Sequence, residues 1–244
     1  MPTIYFTIMG IAVFYKDLGL MDYQEAWDYQ EILFYDIHNA KNRNSDLPQC
    51  ETLAKMNFLL FCEHPHIYTI GKSGKEDNLL INEKTLKDKG AKVCRTNRGG
   101  DITYHGPGQI IGYPILDLED FGLGIRSYID KLEQSIIDTL AEYGIKGERL
   151  DGATGVWLDT EILGKTRKIC AMGVRASRHV TMHGFAFNVN TNLDYFGYIN
   201  PCGFTDKGVT SLQQELGKEI EIEEVKAKLK NHIVTNFEME LKSN

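Results

Sequence analysis

No C-x-x-C pair occurs among the five cysteines of this 244-residue chain (Cys50, Cys62, Cys94, Cys170 and Cys202), and an odd number cannot all be bridged. That excludes a zinc ribbon and a disulfide framework, and it makes a reducing cytoplasm the expected compartment. An excess of basic charge is also missing, since 34 acidic side chains against 27 Lys and Arg leave a formal charge of −7. A phosphate-tracking protein carries net positive charge or a strong basic face, so no nucleic acid is expected as a partner. The apolar start, residues 4–15, lacks a basic flank and a small-residue cleavage site and is too short to span a bilayer. It reads as a first strand behind a short extension of residues 1–10, with no membrane partner. There is no internal repeat, low-complexity tract or long linker, and a 42% hydrophobic content supplies ample material for a core.

What is present is a succession of short strand-like and helix-like segments. Asp22 with Glu25 resembles a capping box ahead of Trp27, Leu33, Phe34 and Ile37, predicting a helix to about residue 41. Strands are expected at 56–62, 66–70, 93–96, 102–104 and 110–116, the last three continuing one sheet around a glycine loop. Ile125, Ile129, Leu132, Ile136 and Leu140 recur at helical spacing, with Gly144 placed to end that helix. Further strands follow at 156–158, 168–174 and 185–189. Thr210 with Gln213 reads as a second capping box, and Val225, Leu229, Ile233 and Phe237 as a final amphipathic helix. The expected fold class is α/β, an α+β mixed sheet with flanking helices, in one domain spanning 1–244 with room for a small C-terminal lobe from about 206.

Two clusters carry chemistry. The first runs Arg98-Gly99-Gly100-Asp101-Ile102-Thr103-Tyr104-His105-Gly106-Pro107-Gly108-Gln109, where glycines interrupt two β-like runs and bring bare backbone towards a ligand. The second comprises Lys168-Ile169-Cys170-Ala171-Met172-Gly173, His183-Gly184-Phe185-Ala186 and Asn200-Pro201-Cys202-Gly203. Cys202 sits between a proline without an amide donor and a glycine without a side chain, which suits an exposed nucleophile. The other cysteines read as small hydrophobes. A thiol needs a nearby ammonium to ionise at neutral pH. Lys165, Arg167 and Lys168 are the nearby cations, and the residues alone do not choose among them.

In this order the segments resemble the octanoyltransferase family of lipoate biosynthesis, the lipoyl(octanoyl) transferases, from about residue 13 to the C-terminal helix. The resemblance implies a fold like the catalytic domain of biotin and lipoate protein ligases. It also implies a Cys202–Lys168 dyad: Cys202 as acyl-thioester nucleophile, Lys168 lowering its pKa and acting as general acid and base. The donor would be octanoyl-acyl carrier protein. The acceptors would be lysines on lipoyl domains of 2-oxoacid dehydrogenases and on the glycine cleavage H protein. No cofactor is implied. Arg98, Gly99, Gly100, Asp101, Ile102, Thr103, Tyr104 and His105, with Ala171, Met172, Gly173, Gly184, Phe185 and Ala186, would line the acyl site. His105 and His183 can each be read as a backbone-bonded structural histidine or as a site group. Backbone amides near Gly203 and in the glycine loop are equal candidates for an oxyanion hole. Two alternatives remain open: an ATP-dependent ligase of the lipoate or biotin type, and a non-catalytic acyl- or carrier-binding paralogue.

Three further patterns need a reading. Gly71-Lys72-Ser73 resembles the end of a phosphate loop, but His66 stands where a Walker motif requires glycine. His179 and His183 have zincin spacing with Val180 in place of the glutamate, so no metal is expected. Between Glu161 and Asp194 there is no acidic residue, while Lys165, Arg167, Lys168, Arg175 and Arg178 all fall in that stretch. This is either a solvated strand edge or a docking face for acidic carriers.

Overall fold

The computed structural model describes residues 10–45, 47–48, 51–200 and 207–242. Its centre is strand β2, Asn57–Glu63, whose run of apolar side chains is buried on both faces. Period-2 alternation divides that run. Phe58, Leu60 and Cys62 meet helix α1, Tyr23–Asn44, through Ala26, Leu33, Phe34 and Ile37. Leu59 and Phe61 enter the opposite core with α3, Ile125–Ala141, and α5, Ile222–Phe237. The mixed sheet is therefore sandwiched between α1 and the α3/α5 pair, in accord with the α/β expectation.

Along this sheet β2 is flanked by parallel β1, Ile11–Leu20, and antiparallel β6, Gln109–Ile115. Beyond β6 lie β10, Val180–Asn188, β9, Arg167–Ser177, β8, Ala153–Leu158, and β7, Glu148–Leu150. On the far side β12, Met239–Lys242, pairs parallel to β1. The segment after about 206, where the sequence left room for a small lobe, supplies α5 to the core and β12 to the sheet. Strand β11, Gly208–Val209, lies parallel beside β9, pairing Val209 with Lys168.

A one-sheet reading of the strands around the glycine loop is corrected. Strands β3, Ile67–Ile70, β4, Lys92–Arg95, and β5, Ile102–His105, form a separate three-stranded sheet in the order β4-β3-β5, with the short helix α2, Glu83–Asp88, between β3 and β4 in the chain. Its own cluster contains Tyr68, Ile70, Ile102, Tyr104 and Ile199. Gly106-Pro107-Gly108 carries the chain from β5 into β6 of the large sheet. Proline lacks the N–H that a continuing ladder needs. The crossing from one sheet to the other is what leaves a cleft between them.

Local signals fared unevenly. Asp22 caps α1 as expected, accepting the Gln24 N–H at 2.9 Å, and the helix runs three residues past the predicted end. After α3, Gly144 N–H donates to Ala141 O and Ile145 N–H to Leu140 O, the paired bonds of a glycine helix stop. The second capping box is off by one. Ser211 caps the short helix α4, Leu212–Leu216, while the Thr210 hydroxyl donates to Glu215 instead.

Candidate active site

Between the two sheets lies a cleft of about 750 Å³, and residues of both predicted clusters line it. The β9–β10 pairing explains why the second cluster reads as two tripeptides. Ala171, Met172 and Gly173 stand opposite Ala186, Phe185 and Gly184, residue for residue, and all six line the cleft. Gly112 on β6 makes room for this wall. A Cβ there would come within 2.1 Å of the Phe185 ring, so the ring rests on bare backbone.

The glycine loop is fastened to the same wall, with Gly99 N–H donating to Val174 O at 2.8 Å. Arg98 is buried and acts as an internal brace. Its guanidinium donates to Gly99 O, Thr69 O and Asp101 O at 2.9, 2.6 and 2.8 Å. Asp101 is spent locally: Oδ1 accepts its neighbour's Ile102 N–H, and Oδ2 accepts from Asn78 Nδ2. Gly100, Ile102 and Thr103 also line the cleft. Tyr104 turns away from it into the small-sheet cluster, its hydroxyl on His66 Nδ1 at 2.7 Å and its ring stacked on Tyr195. Alternation along β5 sends it to the face opposite Thr103 and His105.

Both histidines line the cleft, and the structure gives each fixed partners. His105 Nδ1 faces Gln109 Oε1 at 2.9 Å, and Nε2 faces Thr69 Oγ1 at 3.2 Å. The amide oxygen can only accept, so Nδ1 carries the proton and Nε2 accepts from the threonine. Gln109 passes the chain on to Asn188 Oδ1 at 2.8 Å. His183 sits at φ +57 within β10, donates its backbone N–H to Gln30 Oε1, and faces Asn97 Oδ1 through Nε2 at 2.6 Å. Burial, reinforced by the positive charge of Arg98, pushes the His183 pKa down to about 3, and burial drives that of His105 well below its ordinary value. Both rings are neutral at pH 7.

Lys168 occupies the opposite, solvent-open end. On β9 it pairs with Trp157 of β8, and its Nζ lies 4.4 Å from the centre of that indole and donates to Thr154 O at 3.1 Å. Cation–π attraction and a carbonyl together fix the ammonium against the wall. Lys207 lines the same end. Cys202 and its neighbours Pro201 and Gly203 lie outside the described residues. Asn200 and Lys207, which bracket that stretch in sequence, both line the cleft. Cys170 on β9 is fully buried, and burial pushes its thiol pKa up, in keeping with a packing cysteine.

Sequence reasoning missed Tyr23, Gln109, Tyr113, Thr154 and Trp157 as cleft residues. Gln109 stood in the quoted loop without a role. Tyr23 arrives from α1 and Trp157 from β8, contacts that no local pattern encodes. Two members of the cationic stretch have acidic partners within the fold. Arg167 pairs with Glu215 at 2.7 Å and Asp159 at 2.5 Å, and Arg175 lies over the Phe34 ring near Glu31.

A mixed sheet with helices on both faces, with a glycine loop at one end of its cleft and a strand lysine at the other, is the fold class of the lipoate protein ligases. The structure superposes on a bi-partite lipoate protein ligase from Thermoplasma acidophilum with a TM-score of 0.66, at 14% identity over 97% of this chain and 86% of that one. A lipoate-protein ligase A solved with bound ATP gives 0.65 at 15% identity, over 97% and 89%. At such identity the likeness shows the fold alone. Sequence goes further: residues 22–234 match the model of the lipoyl protein ligase A/B catalytic domain, and the chain belongs to that family. It is 57% identical to the Octanoyltransferase of Flavobacterium johnsoniae over 229 residues, 93% of this chain and 97% of that one. It is 55% identical to the Octanoyltransferase of Christiangramia forsetii over 235 residues, 96% and 99% of the two chains.

Proposed function

We propose that this chain is an octanoyltransferase, working as one catalytic domain in the cytoplasm. It carries an octanoyl group from octanoyl-acyl carrier protein, through a thioester on Cys202, to the lysine of a lipoyl domain. The observation that carries the reading is Lys168, pinned by Thr154 O and the Trp157 ring at the end of the cleft bounded by Asn200 and Lys207. Cys202 is two residues from Asn200, so the covalent chain limits its distance from that wall. The lipoyl domains of 2-oxoacid dehydrogenases and the glycine cleavage H protein are the proposed acceptors. Among the described residues no helix is long and apolar enough to cross a membrane.

The chemistry follows from the groups. The Cys202 thiolate, stabilised by the Lys168 ammonium, attacks the donor's thioester carbonyl. A new C–S bond forms, the old one breaks, and the departing carrier thiolate takes a proton from Lys168. The neutral Lys168 amine then removes a proton from the incoming lysine as its nitrogen attacks the acyl-enzyme. Cys202 leaves as thiolate and an amide remains. Thioester exchange is close to thermoneutral and aminolysis runs downhill, so no nucleotide is consumed. The apolar and small residues Met172, Phe185, Ala171 and Ala186 form a wall suited to a saturated chain.

Incubation with octanoyl-acyl carrier protein followed by intact-mass measurement tests the reading. An octanoyl adduct on Cys202, discharged by a lipoyl domain without ATP, is the expected result. Because the fold is shared with a ligase solved with ATP, the second reading is an adenylating ligase. Transfer that requires ATP and free octanoate would establish it in place of the first. No adduct and no transfer would leave an acyl-binding paralogue.

A further inference from the structure

Helix α3 turns a carboxylate into its apolar face. Glu133 lies beside Leu132 on that helix and is only 4% exposed. A buried carboxylate is costly unless its oxygens are bonded. Here the two oxygens reach different elements. Oε2 accepts from Arg149 Nε on β7 at 3.0 Å, and Oε1 accepts the Gly155 N–H of β8 at 2.9 Å. The carbonyl of that same peptide group, Thr154 O, is the one that receives Lys168 Nζ. In a planar trans peptide the N–H and C=O point in opposite directions. One amide therefore lies between the Glu133 carboxylate and the Lys168 ammonium. Each charge polarises it in the sense that strengthens the other's bond.

The backbone is shaped for this contact. Gly155 has φ +121, and a Cβ there would lie 2.5 Å from Cys170 O and 3.4 Å from Lys168 Cε. Only glycine lets β8 pass so closely beneath the lysine stem. The charged and titratable groups facing the pair are Arg149 from β7, bonded to Glu133, and the Cys170 thiol from β9, which both charges act on, while the Asp130 carboxylate one turn earlier on α3 is turned to Arg126. Arg149 Nη2 is itself held by Asp130 O at 2.8 Å, which keeps its charge turned to Glu133.

We propose that Glu133 is a positioning residue for Lys168, acting through the Thr154–Gly155 peptide group to hold the lysine nitrogen at the cleft wall. The inference rests on the reading of Lys168 as the acid and base of transfer, and it extends the working site to a carboxylate of α3 that is not among the residues lining the cleft. A buried, paired carboxylate on an otherwise apolar helix face is a local conflict of the kind that marks functional sites.

The test compares Glu133→Gln, Glu133→Ala and Lys168→Ala with the unmodified protein. Octanoyl-acyl carrier protein is the donor and a lipoyl domain the acceptor, with rates measured across the alkaline range and Tm recorded for each variant. Glu133→Gln keeps an oxygen for the Gly155 N–H but loses the charge. Its transfer rate is expected to fall about three- to tenfold, with KM for the donor unchanged. The Lys168 ammonium loses an anion that stabilised it, so the alkaline limb of the profile moves to lower pH by about half to one unit. Glu133→Ala is expected to lose more. If it does not fold, the near-isosteric glutamine variant carries the test alone. A lower Tm and rate with the limb unmoved would show Glu133 to be a structural brace and overturn the proposal, as would wild-type rate and profile in Glu133→Gln. Lys168→Ala separates the two levels. If it abolishes transfer while Glu133→Gln behaves as wild type, only this inference fails. If Lys168→Ala transfers normally, the underlying reading of Lys168 fails.

Discussion

The two ends of the cleft are built on opposite electrostatic plans. At the open end Lys168 and Lys207 bring positive charge to a partly exposed wall, beside a carbonyl and an indole face. At the closed end Tyr23, His105, Gln109, Tyr113 and His183 are all nearly inaccessible to water and are bonded to one another or to nearby side chains. His64 backs them, its Nε2 facing the Tyr113 hydroxyl at 2.7 Å, and burial brings its pKa down to about 4. One end can therefore stabilise a thiolate and exchange protons, while at the other the tyrosines, histidines and Gln109 are neutral at pH 7 and the buried Arg98 guanidinium is taken up by backbone carbonyls. A site for a charged reaction on an uncharged chain needs both. Burial disfavours any unpaired charge where an alkyl tail is to lie, while the partly exposed wall leaves the lysine charge open to the reacting groups.

The comparison breaks most completely at the open end. Cys202→Ser should abolish the octanoyl adduct in intact-mass measurement, whereas Cys170→Ala, at a thiol buried within β9, should keep it. Labelling retained by the serine variant would remove Cys202 from the mechanism. Lys168→Ala comes next, with both transfers expected to slow by about 10²–10⁴-fold. Alkylation of Cys202 should then require higher pH, because the thiolate has lost its cation. An unchanged alkylation profile would separate the lysine from the cysteine.

The closed end should reveal itself in stability. Unfolded histidine titrates near 6.5, whereas His64 and His183 are pushed to about 4 and about 3. Between those values the unfolded chain binds protons that the folded one refuses. Stability is therefore complete above pH 6.5 and falls as pH drops, by about 2 kcal/mol per histidine on reaching pH 5. The buried Asp117 is also held below its ordinary value, by Lys41 and Lys55 against the cost of burial, and its contribution is lost only as pH falls below about 4, so it does not obscure this window. Thermal denaturation at pH 7 and pH 5 checks the slope, which His183→Gln should flatten. A Tm that is the same at both pH values would show that these rings are not excluded from water.

Effects on the wall between the ends should be smaller. Gly112→Ala drives a methyl into the Phe185 ring and should cost about 1–3 kcal/mol in denaturant melts, with octanoyl specificity falling as the wall shifts. Full stability would mean that the ring moves aside freely. Shortening octanoyl to hexanoyl removes two methylenes from this wall. At about 0.8 kcal/mol each, that is roughly a fifteenfold loss in kcat/KM. Equal values for the two chains would place the tail in water.

Much of this was legible in the chain, for physical reasons that also set its limits. The buried β2 run, the α3 and α5 stripes and the stop at Gly144 are written in local periodicity and backbone chemistry, which act within a few residues. The two tripeptides of β9 and β10 were legible as a motif, and the hairpin places them face to face. The division into two sheets was not, because strand propensity does not say which strand a given edge will pair with. Tyr104 was assigned to the cleft by its place in the loop and went to the small core by alternation along β5. Glu133 sits beside a helical apolar stripe, and nothing in the spacing tells that its carboxylate turns inward. Its partners, Arg149 and Gly155, lie 16 and 22 residues away. The sequence by itself determined which side chains are available and which local elements they form. Only the packing of α3 beneath β8 and β9 decided which of them share one peptide group with Lys168, because hydrogen bonds across layers depend on distances that the chain acquires only when its layers close.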